Sequence, residues 1–245
     1  MAVNNAMEML TRTFCGPESP ALLVSYVIID DVLKEMPNLV FRDWVLDSGA
    51  YSAFTLGKEI RLQDYIDFCK RMRGIDRPPT EVFALDVIGD WKGSLKNTEE
   101  MWRQGVEAVP CYHEGEPWHV LQTMAREYPK IALGGMVGAP GNRKLKWVKE
   151  CFARVWPKRI HGFGVFNQQI LHAVPFESVD SANWAYPMIG GNWIGIGHGK
   201  WVVLRTRKTY DLRAEVRYYM KLERKLKFLW RRELAAIGSP GVSAA

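Results

Sequence analysis

Three aspartates stand where short apolar runs end: Asp47 after Trp44-Val45-Leu46, Asp86 after Phe83-Ala84-Leu85, and Asp180 after Ser178-Val179. Carboxylates grouped in this way suit acid–base or nucleophilic work, because like charges held close raise at least one pKa. A single strand-end aspartate reads as readily as a helix N-cap, its oxygen accepting from an unpaired first-turn N–H. Three in equivalent positions make capping alone a weaker account. Nearby polar segments are Tyr112-His113-Glu114-Gly115-Glu116, Gly134-Gly135-Met136-Val137-Gly138 and His161-Gly162-Phe163-Gly164. The pair Gly134-Gly135 makes either a tight turn or room for a flat ligand against the backbone. His113 and His161 read as satisfied core histidines or as site groups. Asp47, Asp86, His113 and His161 have the donor types for a metal but no ligand spacing, so no metal is expected.

The elements that must position these residues follow from apolar patterning. Eight short segments read as strands, at 22–29, 44–50, 82–87, 108–113, 131–137, 160–165, 178–184 and 201–206. Between them lie helical stretches. Residues 62–73 put Leu62, Tyr65, Ile66, Cys69 and Met72 on one face, and 94–104, 118–127, 145–156 and 168–174 follow the same rule. Ser94 is the expected cap of its helix. Strand–helix alternation repeated eight times predicts an α/β fold, a (β/α)8 TIM barrel in one domain, with its site at the C-terminal strand ends. The alternative, an open doubly wound sheet, lacks a G-x-G-x-x-G after the first strand. Residues 1–206 are the expected barrel. Residues 207–245 are the expected basic C-terminal helix and disordered tail, with Leu212, Val216, Tyr219, Leu222, Leu226 and Leu229 packing on the barrel and the basic side outward.

Composition sets the setting. The 245 residues are 47% hydrophobic and 24% charged, an ordinary balance for a globular chain able to bury a full core. The net charge of +6 permits a polyanionic partner without requiring one. Its distribution is more telling, since basic residues crowd 200–232, with Arg205, Arg207, Lys208 and Arg213 among them as candidate nucleic-acid contacts. Four dispersed cysteines form no C-x-x-C, which predicts free thiols in a reducing cytoplasm. No stretch has the length of a membrane span and the first ten residues lack an apolar leader core, so a soluble cytoplasmic protein is expected.

Six pieces, in one order, carry a resemblance: Asp47-Ser48-Gly49-Ala50-Tyr51-Ser52-Ala53-Phe54, Leu85-Asp86-Val87-Ile88-Gly89-Asp90, Pro110-Cys111-Tyr112-His113-Glu114-Gly115-Glu116, Leu133-Gly134-Gly135-Met136-Val137-Gly138, His161-Gly162-Phe163-Gly164, and Val179-Asp180-Ser181 with Trp184. Over residues 22–184 the chain resembles the guanine transglycosylases, the queuine and archaeosine tRNA-ribosyltransferase-like barrel enzymes. It is most similar to the short, virus-encoded branch that places 7-deazaguanines in DNA. The family's thiolate/His zinc cluster is missing, its base-reading glutamine has no clear match, and Ser52 replaces a further glutamine.

The resemblance implies base exchange, with guanine in DNA replaced by a 7-deazaguanine of the preQ0 type. Asp180 would be the nucleophile and Asp47 the general acid–base. Asp86, Tyr51, Gly134, Gly135, His113 and His161 would contact the base. No cofactor and no zinc are implied, the free 7-deazaguanine being a co-substrate, and a viral origin would put the reaction in the host cytoplasm. The alternatives are exchange in tRNA, hydrolytic release of guanine, and a non-catalytic barrel that binds nucleic acid through its basic tail.

Overall fold

Apolar runs that are buried on both faces make parallel strands, and the strand Lys130–Gly134 is buried at every position. The computed structural model describes residues 19–135, 141–182, 194–197, 200–203 and 212–237. The fold is α/β, and its elements are those of a (β/α)8 barrel: parallel strands alternating with helices. The chain divides between Cys111 and Tyr112 into two compact units.

In the first unit, strands β1 (Leu22–Ser25), β2 (Trp44–Asp47), β3 (Glu81–Phe83) and β4 (Ala108–Val109) form a parallel sheet in that order. Helices α1 (Ile29–Glu35), α2 (Ala50–Thr55), α3 (Leu62–Met72) and α4 (Trp91–Arg103) connect them. The expected face of α3 is the buried one, with Tyr65, Ile66, Phe68, Cys69 and Met72 all inside. The Tyr65 hydroxyl donates to the Phe83 carbonyl at 2.9 Å, which satisfies a buried phenol and ties α3 to β3.

From the second residue of β5 (Cys111–His113) onward the chain belongs to the second unit, where β5, β6 (Lys130–Gly134), β7 (Arg159–Gly162) and β8 (Ser178–Val179) form a second sheet in that order. Helices α5 (Trp118–Glu127), α6 (Gly141–Val155) and α7 (Gln168–Leu171) intervene. The segment expected as one strand at 108–113 is two, parted at Pro110, whose nitrogen has no hydrogen to give a ladder. The first expected strand ends at Ser25, because Tyr26–Ile28 turns into a 3-10 helix leading to α1. The last expected strand falls in β10 (Lys200–Val203), which pairs antiparallel with β9 (Ile194–Gly197) as a hairpin.

The basic C-terminal stretch forms α8 (Leu212–Leu229) and α9 (Arg231–Ala236), separated at Trp230. The Trp230 indole donates to the Leu171 carbonyl at 3.1 Å, and Gln168 bonds the Tyr218 hydroxyl, so α7 anchors α8. Val216 is buried, but Leu229 and Phe228 are exposed. The apolar stripe is therefore covered at Val216 and open at its end. The expected disordered tail at 238–245 lies outside the described residues. Among the described residues, no helix is long and apolar enough to cross a membrane.

Candidate active site

Asp47 closes β2 in register with Ser25 of β1. Its Oδ2 accepts from the Gly49 N–H at 3.0 Å, a local turn that the side chain itself holds shut. Gly49 sits at φ 75°, and a Cβ there would come within 2.7 Å of Ser25 Oγ and Val27 Cγ2. Glycine is required on both counts. It is also the residue preceding α2, so Asp47 shapes the turn and is not the N-cap. Tyr51, one residue into α2, is 62% exposed, beside an equally exposed Phe54.

Asp86 lies three residues beyond the last residue of β3 and is half-buried. The cap of α4 is Asp90, whose carboxylate accepts from the Lys92 N–H at 3.1 Å. Ser94, the expected cap, is instead buried within the helix. Its hydroxyl accepts from the Val87 N–H at 2.9 Å, and Asn97 donates to the Leu85 carbonyl at 3.0 Å. Those two bonds pin the backbone on either side of Asp86. Neither Asp47 nor Asp86 is spent on a helix N-cap.

The most elaborate polar arrangement surrounds Asp180. Register pairs Ala132 with His161 and His161 with Ser178, so these side chains share one face of the sheet. Asp180, two residues beyond Ser178, follows on the same side. Its Oδ1 accepts from the Gly164 N–H at 3.0 Å and lies 3.4 Å from His161 Nε2. His161 Nδ1 is 2.8 Å from Ser178 Oγ, which accepts from Lys130 Nζ at 3.1 Å. Lys130 also meets Glu177 Oε2 at 2.9 Å, and Arg159 holds the other oxygen of Glu177 at 2.7 Å. Burial pushes the Glu177 carboxyl upward, but the Lys130 and Arg159 charges overcome it and hold it below the usual carboxylate range.

The two glycines of His161-Gly162-Phe163-Gly164 have separate jobs. A Cβ on Gly162 would strike Val165 and Phe176 at 2.7 and 2.8 Å, so this position is a packing requirement. Gly164, at φ 66°, turns its N–H onto the Asp180 carboxylate. His161, expected to contact a base, is 2% exposed and faces Asp180 and Ser178.

His113 ends β5 with its Nδ1 3.3 Å from Glu116 Oε1. Gly134 is buried at the end of β6, and Gly135, exposed at φ 75°, runs beside the backbone of Glu114. Glu114 pairs with Arg143 of α6 at 2.7 Å. Within the second unit, then, the ends of β5 and β6 adjoin, and those of β7 and β8 are joined through Asp180. Arg205, Arg207 and Lys208 lie outside the described residues, and Arg213 falls in the first turn of α8.

Lys130, Arg159, Glu177 and Ser178 were not picked out as site residues from the sequence. The available signal was Lys130 at the head of Ile131-Ala132-Leu133, a charge on a strand buried throughout, which demands a partner.

The fold and site define an α/β protein with carboxylates at strand ends. A scan against protein-family models finds no match, and neither does a search of curated proteins. Among solved structures, the chain is similar to one from the tryptophan synthase α2β2 complex of the hyperthermophile Pyrococcus furiosus. The identity is 11%, the TM-score 0.42, and the match covers 87% of this chain and 98% of that one.

Proposed function

We propose that the chain is a transglycosylase that exchanges guanine in DNA for a 7-deazaguanine base through an ester on Asp180. The observation that carries this reading is the placement of Asp180: a partly exposed carboxylate, 23% accessible, at a strand end, with one oxygen held by a backbone N–H and lying 3.4 Å from a buried histidine. Such a carboxylate is oriented through one oxygen while its second oxygen can attack.

In the first step an Asp180 oxygen bonds to C1′ of the nucleotide as the C1′–N9 bond breaks. The base leaves with that electron pair and takes a proton from the general acid, the role that the resemblance gives to Asp47. In the second step N9 of the incoming base attacks C1′, Asp47 recovers the proton, and the ester breaks to return the carboxylate. Two displacements preserve the anomeric configuration. The resemblance gives Asp86 the base edge, where a carboxylate can accept from N–H donors, and Tyr51, whose ring is exposed, the stacking role. The basic residues of α8 and of the segment before it supply phosphate contacts, and the nucleotide must be single-stranded or flipped to expose C1′.

The test incubates the chain with DNA and isotopically labelled 7-cyano-7-deazaguanine, then digests and analyses the nucleosides by mass spectrometry. Label in deoxynucleosides is the expected result. Label in tRNA alone would move the substrate to tRNA, and release of guanine without incorporation would make the chain a hydrolase.

A further inference from the structure

We propose that His161 is a positioning residue for the Asp180 carboxylate and that Lys130 and Ser178 fix its tautomer. This inference rests on the reading of Asp180 as the nucleophile. A lysine ammonium only donates. Lys130 Nζ lies 2.9 Å from Glu177 Oε2 and 3.1 Å from Ser178 Oγ, so the serine oxygen is an acceptor on that side. The serine proton then turns to its other near neighbour, His161 Nδ1, at 2.8 Å. Nδ1 must present a lone pair there.

The ring proton is thereby placed on Nε2, which lies 3.4 Å from Asp180 Oδ1. The opposite tautomer would turn a nitrogen lone pair toward a carboxylate and leave the Ser178 proton with an acceptor at neither Lys130 nor His161. Both outcomes are unfavourable in a setting where His161 is 2% and Lys130 5% exposed. Gly164 N–H meets the same Oδ1 at 3.0 Å. With the Gly164 N–H bonded to Oδ1 and the His161 Nε2 edge facing the same oxygen at 3.4 Å, the carboxylate is held on that side and Oδ2 is the oxygen presented for attack. Among the described residues, both of these contacts fall on Oδ1 and none donates to Oδ2. Lys130, ion-paired with Glu177, therefore orients the ring through two hydrogen bonds of one polarity, Lys130 to Ser178 and Ser178 to His161 Nδ1, which turns Nε2 toward the oxygen that does not react.

Two measurements on the full chain test this. Long-range proton–nitrogen spectra of histidine-labelled protein report which ring nitrogen carries the proton, with the His161 signals identified by their loss in His161→Gln. The expected result is a bare Nδ1 and a protonated Nε2 in the unaltered chain, with a mixed population in Ser178→Ala. A protonated Nδ1, or a ring unaffected by Ser178→Ala, overturns the proposal. The second measurement is base-exchange kinetics. His161→Gln, whose amide places an N–H near the Nε2 position, is expected to keep turnover within about 10-fold of the unaltered chain. His161→Leu should lose about 100-fold in kcat, with KM for the base nearly unchanged. Equal losses in two folded variants would overturn the positioning role. Absence of exchange in the unaltered chain would count against the nucleophile reading, whereas the spectrum interrogates the ring independently of it.

Discussion

Replacing Glu177 with leucine removes the carboxylate 2.9 Å from Lys130 and leaves a lysine that is 5% exposed with Ser178 Oγ still 3.1 Å away. Breaking a buried ion pair costs about 3–5 kcal/mol, because the remaining charge keeps its desolvation penalty. Glu177 is itself 26% exposed, so water partly fills its place. Allowing for that screening, the loss is about 2–3 kcal/mol. For a chain of 245 residues this corresponds to a fall in Tm of about 4–12 °C. Lys130→Met is milder, at about 1 kcal/mol, since it removes the charge, keeps the apolar stem, and leaves Glu177 with Arg159. The double variant should then lose less than the sum, with a coupling of about 1 kcal/mol or more. Urea unfolding followed by tryptophan fluorescence measures all three. Strict additivity, or a Glu177→Leu loss below about 0.5 kcal/mol, would refute the claim that the pair is energetically coupled.

Three further outcomes follow from the same geometry. The folded Glu177 carboxyl is held below its unfolded value by Lys130 and Arg159 against the opposing effect of burial. Its contribution is therefore present above the unfolded pKa and lost as pH falls through the folded one, so Glu177→Gln should flatten the acid limb of a stability–pH curve. Burial pushes the Cys69 thiol from 9.0 to about 12, with Tyr65 and Arg73 pulling weakly the other way. That raised value means stability is complete below the unfolded thiol pKa and declines as pH rises toward 12, and the buried Cys69, Cys111 and Cys151 should react with a thiol reagent only after unfolding. Gly49→Ala should cost about 2–4 kcal/mol, from a left-handed backbone combined with an overpacked Cβ, and chemical denaturation would contradict this by showing no change.

Much of the strand–helix order was legible because apolar periodicity survives in single segments. Residues 118–127 coincide with α5, and 62–73 with α3 to within a residue. The errors have local causes. Ser94 looked like a cap from its place before an amphipathic run, but Asp90 takes that role, and the Ser94 hydroxyl serves the neighbouring loop. Pro110 divides a strand whose apolar pattern runs straight through it. The apolar stripe on α8 predicted burial along its length, yet helical spacing cannot tell how much surface is available to cover it, and Leu229 remains exposed.

The candidate site divides in the same way. Strand-end aspartates and glycines can be found by eye, since their types contrast with the apolar runs before them. The surroundings of Asp180 depend on register, which pairs His161 with Ser178 across 17 positions and brings Lys130 to Ser178 across 48. Spacing along one segment does not encode those pairings. Nor does it distinguish Gly162, a packing position, from Gly164, a hydrogen-bond donor to the carboxylate.

The decisive measurement is a trap for the ester. The chain is incubated with single-stranded DNA in the absence of free base, quenched in denaturant, and digested, and its peptides are read by mass spectrometry. The account predicts a nucleotide-bearing peptide containing Asp180, absent from Asp180→Asn, which should also have lost exchange. Normal exchange by Asp180→Asn, or an adduct on a different residue, would contradict it.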